Sequence, residues 1–201
     1  MEIKEITQIK NGRVRIRLEG GLSFLLYKKE AATFQLQEGD FLSEEAWREI
    51  RNEILLKRAK KRALYLLQKM DRTRKQLGDK LREGEYPEDI IEEAIAYVES
   101  FHYIDDDRYA ANYVHFHQEK KSKRQLQMDL MQRGVSSEQI AHAFAEELTV
   151  TSDELIKNWL IKKHYDPAET DDTQRRRIYQ FLLRKGFKSE EIMRCMRLEE
   201  Y

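Results

Sequence analysis

One apolar pattern recurs three times in this chain. Leu77, Leu81, Tyr86 and Ile91 align with Leu126, Leu130, Val135 and Ile140, and again with Ile178, Leu182, Phe187 and Ile192. The steps within each set are four, five and five residues, and corresponding positions lie 49 and then 52 residues apart. A four-residue step keeps two side chains on one helical face, and the five-residue step crosses a turn to an apolar plug before a second helix begins. A repeat of this length constrains architecture more than any single motif, because each unit must stack on a neighbour to bury its apolar face. The spacing leaves room for three helices per unit. These are residues 63–70 (the end of an opening helix), 74–83 and 88–101; then 106–120, 123–133 and 137–148; then 152–163, 174–185 and 190–197. Stacked units of this kind predict an elongated, curved array.

Local punctuation supports these boundaries. Gly134 and Gly186 directly precede Val135 and Phe187, where a left-handed residue ends a helix; Glu85 holds that place in the first unit, with Gly84 beside it. Thr73 with Gln76 and Ser122 with Gln125 have the spacing of capping boxes. In the third unit Gln174 holds the cap position, Thr173 lies one residue early, and Arg177 replaces the closing Gln. The only two prolines, Pro87 and Pro167, fall where a connection or a helix start is expected.

The N-terminal region differs. Alternation is clear at Val14, Ile16 and Leu18 and at Leu22, Phe24 and Leu26, while Ile3, Ile6 and Ile9 give a weaker strand signal. Asn11-Gly12 and Gly20-Gly21 separate the runs as hairpin turns do, which predicts a three-stranded meander. A sheet this small needs a partner, either the short amphipathic segment 28–36 or the helix after it. That helix is expected over residues 44–70, and its roughly 27 residues would extend ~40 Å. The fold class is therefore mainly α: tandem three-helix repeats with a small N-terminal antiparallel sheet. The segments are 1–42 for the sheet module, 43–103 for the long helix and first repeat, 104–149 for the second and 150–201 for the third.

Lys plus Arg and Asp plus Glu both number 37, so no global charge draws the chain to nucleic acid, and any such attraction must be local. Cys195 is the sole cysteine, which excludes an intramolecular disulfide and a Cys-based zinc site within one chain and fits a reducing cytoplasm. Residues 1–10 have no apolar signal core, and no stretch approaches the ~20 apolar residues of a membrane span. Secretion and membrane insertion are not expected.

Phe-His-Tyr-Ile-Asp-Asp-Asp-Arg-Tyr-Ala at residues 101–110 resembles the turn into the second repeat of the RecX family, regulators of RecA. In that turn an aromatic and an aliphatic residue precede acids, then Arg, an aromatic residue and Ala; His102 stands where Gly is common in the family. Arg-Thr-Arg-Lys-Gln-Leu at 72–77 with Lys80-Leu81, and Ser-Lys-Arg-Gln-Leu at 122–126 with Gly134-Val135, resemble other repeated elements of the family. The resemblance runs from the N-terminal strands through the third repeat. It implies a non-enzymatic role: lying in the groove of the RecA filament on single-stranded DNA and limiting its growth or activity, most simply as a monomer.

The densest basic clusters are residues 57–62 (Lys-Arg-Ala-Lys-Lys-Arg), 120–124 (Lys-Lys-Ser-Lys-Arg) and 175–177 (Arg-Arg-Arg). Each can be a solvated helix face, or together they can form a discontinuous face for phosphates or acidic protein surfaces. Lys120, Lys121, Lys123, Arg124, Arg175, Arg176 and Arg177 are the candidate partner- or DNA-binding residues. Arg175, Arg176 and Arg177 are expected to open a helix, where cations oppose the dipole. No aromatic residue interleaves the clusters, so a base-stacking platform has no sequence support there. Asp105, Asp106 and Arg108 are a secondary polar site. Asp105, Asp106 and Asp107 read as a helix cap with dipole-favoured acids, as contacts to basic groups, or as metal ligands. His115 and His117, two apart, fall on nearly opposite sides of a helix. Trp47, Trp159, Tyr97, Tyr109, Tyr113 and Phe144 are expected to pack. No nucleophile, base and orienter combination, phosphate loop or metal motif is present in the sequence, and no cofactor is expected. The rival readings are an independent DNA-binding protein, a helical scaffold, and a metal-dependent nuclease resting on Asp105, Asp106 and Asp107.

Overall fold

Asn11, Gly12, Gly20 and Gly21 all take positive φ, and the two turns they make fold the N-terminal alternation into an antiparallel sheet. A computed structural model describes residues 1–196 of the chain. The strands are β1 (Ile3–Ile9), β2 (Arg13–Leu18) and β3 (Ser23–Tyr27), in the order β1-β2-β3. The register shift between Ile3 and Glu5 accounts for the three-residue step from Ile3 to Ile6, which lies opposite Ile16, whereas Ile9 lies opposite Arg13 in regular register and so falls on the other face. Val14 lies opposite Leu26 and Ile16 opposite Phe24, so one face carries the apolar residues, all but fully buried. The free edge of β1 is covered by the chain itself: Ile3 N–H donates to Asp40 O and Gly39 N–H to Ile3 O, both at 2.8 Å.

α1 (Lys28–Thr33) follows β3, as the amphipathic segment predicts. The expected long helix is continuous from Glu44 to Lys69 but is not uniform. α2 (Glu44–Glu49), capped by Ser43, runs into a π-helical stretch (Ile50–Leu56) and then α3 (Lys57–Lys69), with right-handed helical backbone at both junctions. The remaining helices are α4 (Arg74–Arg82), α5 (Glu88–Glu99), α6 (Asp106–His117), α7 (Lys123–Gln132), α8 (Ser137–Glu147), α9 (Ser152–Lys162), α10 (Asp172–Arg184) and α11 (Ser189–Met196). Each end falls within about three residues of the expected one, ordinary scatter for fraying termini. The predicted end at Arg197 lies outside the described residues.

All the repeat residues that set the apolar pattern are buried except Tyr86, which is half-buried. Gly134 and Gly186 have φ of 89° and 85°, and Glu85 occupies the same left-handed region at 57°. His102, where a glycine is common in the family, has φ of 56°. Thr73 and Gln76 form the reciprocal capping box. Ser122 accepts the N–H of Gln125, the forward half of its box. The third unit corrects the sequence: its cap is Asp171, whose carboxylate accepts the N–H of Gln174 at 2.9 Å, so α10 starts two residues before the expected position.

The chain divides into two compact units, Met1–Asp105 and Asp106–Tyr201. In the first, one apolar cluster joins the sheet to α3, α4 and α5. In the second, one cluster surrounds Leu126 and Leu130 and another surrounds Leu182 and Ile192. Burying each such side chain contributes about 1.5–3 kcal/mol.

Candidate functional site

The 120–124 cluster sits at the turn from α6 to α7, where Ser122 caps α7. Lys120, Lys123 and Arg124 are exposed, and no ion pair holds them among the described residues. The Lys123 ammonium lies 5.1 Å above the Phe144 ring. Lys121 is different. Its Nζ donates to Asp129 Oδ2 at 2.6 Å and to the Tyr113 hydroxyl at 2.7 Å, and Tyr113 donates to the same carboxylate oxygen at 2.8 Å. Burial alone would lower the Lys121 pKa, but its hydrogen bonds to Asp129 and Tyr113 outweigh it and raise the value. Burial likewise opposes ionisation of Asp129, and its bonds from Lys121 and Tyr113 win and hold its carboxyl below the usual range. Lys121 thus ties α6 to α7.

Arg175, Arg176 and Arg177 divide in the same way. Because α10 begins at Asp172, these arginines lie beyond the first three helical positions rather than opening the helix, so the expected conflict with the dipole is largely relieved. Arg175 pairs with Asp172 at 3.1 Å and donates to the carbonyls of Pro167 and Thr170, closing the loop before the helix. Its Nε is buried without a partner. Arg176 and Arg177 are exposed, with no ion pair among the described residues. The seven candidate cations therefore separate into two used internally, Lys121 and Arg175, and five presented to solvent.

Asp105 closes the first unit, and Asp106 opens α6 with Asp107 in its first turn, where the helix dipole favours acids. Asp107 accepts from Gln139 Nε2 at 3.0 Å, joining α6 to α8. Asp105 and Asp106 are half-buried and Arg108 is exposed. Among the described residues no group of three His, Cys, Asp or Glu is placed to hold a metal ion. His115 faces Glu147 at 3.0 Å, while His117 stacks on Tyr113 and contacts its carbonyl oxygen. Trp47 packs on Phe24 and Trp159 on Phe181.

The second and third repeats meet through polar groups. Ser122 Oγ donates to Lys185 O at 2.6 Å, and a Cβ on Gly186 would fall 2.8 Å from that Oγ. Gln118 Oε1 accepts from Thr149 N–H and Val150 N–H. Lys120 lines a cleft of about 830 Å³ between these repeats, together with Thr149, Lys157 and Lys162.

The 57–62 cluster, one of the three basic runs, lies on α3 in the first unit. Arg58, Lys61, Arg62, Tyr65 and Lys69 follow steps of three, one, three and four and share one face of α3, adjacent to the buried stripe of Ala59, Ala63 and Leu66. Tyr65 stands just beyond the run. Tyr27 and Tyr86 come from β3 and from the α4–α5 turn, so aromatic residues that do not interleave this cluster in sequence lie beside it in the fold.

No helix among the described residues is long and apolar enough to cross a membrane. Residues 59–97, 105–143 and 151–196 match the first, second and third three-helix domains of RecX, respectively. The regulatory protein RecX of Clostridioides difficile (strain 630) is 28% identical over 202 residues, covering 96% of this chain and 93% of the relative. That of Leuconostoc mesenteroides is 30% identical over 192 residues, covering 92% of this chain and 72% of the relative. A crystal structure of regulatory protein RecX matches with a TM-score of 0.62 and 25% identity over 98% of both chains. RecX from Lactobacillus salivarius shares the fold with a TM-score of 0.56 over 71% of this chain and 94% of that one. With all three repeat domains matched in order and relatives similar along almost its whole length, the chain belongs to the RecX family of regulatory proteins.

Proposed function

We propose that this protein binds the RecA filament on single-stranded DNA as a cytoplasmic monomer and restrains its recombinase and ATPase activity without catalysis of its own. One observation carries the reading: a RecX repeat array presents Lys120, Lys123, Arg124, Arg176 and Arg177 in its second and third repeats with no carboxylate claiming them among the described residues. Cations without a carboxylate partner can meet phosphates or acidic protein surfaces without breaking an existing ion pair, and they steer association. Asp105, Asp106 and Arg108 add a secondary polar contact. Lys121 and Arg175 act indirectly, by fixing the α6–α7 turn and the loop before α10. Occupying the filament groove restrains RecA only through tighter binding to one filament state than to another.

The test is RecA's single-strand-dependent ATP hydrolysis, with filament length followed in parallel, as this protein is titrated up to the RecA concentration. Suppressed hydrolysis with shortened filaments supports the proposal, and potency well below one-to-one points to blocked growth. No change in either observable, with a folded protein and the cognate RecA, overturns it in favour of a scaffold or an independent DNA-binding protein.

A further inference from the structure

The first unit contains a second cationic site, of different construction. A cleft of about 600 Å³ opens between the exposed stripe of α3, the β2–β3 end of the sheet and the α4–α5 turn. We infer that this cleft binds a short stretch of single-stranded nucleic acid, its phosphates on Arg13, Lys61 and Arg62 and its bases against Tyr27 and Tyr65.

Charge comes first. Arg58 is spent on Glu30, bonding both carboxylate oxygens, and Lys80 on Glu83. Arg13, Lys61 and Arg62 border the same space with no ion-pair partner among the described residues. Three cations converge there from two elements that are far apart in sequence, so a solvated helix face does not account for them.

The aromatic groups come second. Arg13 and Tyr27 are cross-strand neighbours at the end of the β2–β3 ladder. Tyr27 and Tyr65 are 46% and 50% exposed, unlike the packed Trp47; Arg58 lies 4.9 Å over the Tyr27 ring and Arg62 and Lys69 lie 5.5 Å and 5.4 Å over the Tyr65 ring, so a base stacks there by taking the place of a mobile cation. Single-strand binders combine such rings with a cationic track, because every base has a π-face and every link a phosphate. A cleft of about 600 Å³ falls within the volume range of small-ligand pockets, room for about one or two nucleotides.

The cleft is also held open by its own frame. A Cβ on Gly84 would fall 2.8 Å from Tyr86 Cε2, so only glycine lets that ring close down on the turn as the floor. The next residue, Glu85, is held in the left-handed region by two 2.6 Å bonds from Arg15 on the sheet. Arg58 donates to Leu25 O at 3.1 Å and ties α3 to β3. These contacts fix the walls while leaving Arg13, Lys61 and Arg62 without a carboxylate partner among the described residues, with Arg62 over the Tyr65 ring. Binding in this cleft needs no RecA and is independent of the proposed regulatory role.

Fluorescence anisotropy of labelled oligothymidylate of about a dozen nucleotides, titrated with the full chain and without RecA, tests it. The triple variant Arg13→Gln, Lys61→Gln, Arg62→Gln is expected to lose at least tenfold in affinity and to flatten the salt dependence by roughly two in log–log slope. Tyr65→Leu should weaken binding about fivefold with the slope unchanged, and Tyr65→Phe should restore it. Should the triple variant lose helicity, Lys61→Gln alone, on the exposed face of α3, carries the charge test with a proportionately smaller loss. Absence of binding by the parent protein, or affinity untouched by both the charge and the Tyr65→Leu changes, overturns the inference. So does displacement by polyglutamate or by thymidine monophosphate as effective as that by unlabelled oligonucleotide at equal charge, which would assign the cleft to acidic peptides or to free nucleotides.

Discussion

The two units hold themselves together by different means. In the first, a single apolar cluster runs from Ile3 in the sheet through Leu77 and Ile95 to Ile104, and the Arg15–Glu85 and Arg58–Glu30 pairs span the same elements. In the second, two smaller clusters stand apart and the repeats meet through Ser122, Gln118 and the close approach at Gly186. Apolar contact is non-directional and grows with area, so a shared core makes sheet and first repeat one cooperative body. A hydrogen bond contributes only about 0.5–1.5 kcal/mol and demands geometry. Like repeats therefore need not be coupled alike, and the third repeat can open while the second stays folded.

The largest effect that would test this contrast comes from matched cavities. Leu81→Ala and Leu182→Ala each remove a fully buried side chain, and each should cost about 2–5 kcal/mol. Amide hydrogen exchange should then accelerate in β2 and α5 together for Leu81→Ala, but only in α9, α10 and α11 for Leu182→Ala. Equal acceleration in α6 and α8 for the latter would erase the distinction.

A middle-sized effect isolates the contact between repeats. Gly12 and Gly186 both have positive φ, but a Cβ at Gly12 meets nothing within 4 Å whereas one at Gly186 meets Ser122 Oγ. Gly12→Ala should cost about 1 kcal/mol through the backbone alone, and Gly186→Ala about 2–3 kcal/mol through backbone and contact together. Urea midpoints of the two variants decide it, and equal shifts would mean that the repeats have slack there.

The smallest effect is electrostatic. The Asp129 carboxyl is held below its ordinary value of 3.8. Its contribution is therefore complete above that value and is lost as pH falls through the lower folded value. Asp129→Asn should cost about 1 kcal/mol at neutral pH, and the gap to the parent protein should close as pH drops below about 4. A gap that stays constant in acid would show that the Lys121–Asp129 pair contributes nothing specific.

The repeat was legible because Leu77, Leu126 and Ile178 and their partners keep helical rather than alternating spacing, and helical spacing at a period of about fifty residues points to stacked helical units. Asn11-Gly12, Gly134 and Gly186 were legible because positive φ selects residue type. The cap at Asp171 was missed because alignment to the earlier repeats pointed to Gln174, whereas the Asp171 carboxylate three residues upstream accepts the N–H of Gln174 and starts the helix earlier. Basic residues in a run look alike on paper. That Lys121 and Arg175 turn inward while Lys120 and Arg176 do not depends on Asp129, Pro167 and Thr170, which are distant or carbonyl partners. The stripe from Arg58 to Lys69 could have been read from helical spacing, but Tyr27 and Tyr86 reach it only through the tertiary fold.

The π-helical stretch Ile50–Leu56 sets the rotational phase of α3. A residue rotates a helix by about 100°, and wide turns of this kind act as one-residue insertions absorbed without breaking the rod. Drawing the wide turn back to ordinary pitch with every residue kept would turn Ala59 and Ala63 out of the core and swing Lys61, Arg62 and Tyr65 away from Arg13, whereas losing the wide turn together with one residue would leave the heading of α3 unchanged. The wide turn thus chooses which side of α3 the sheet sees.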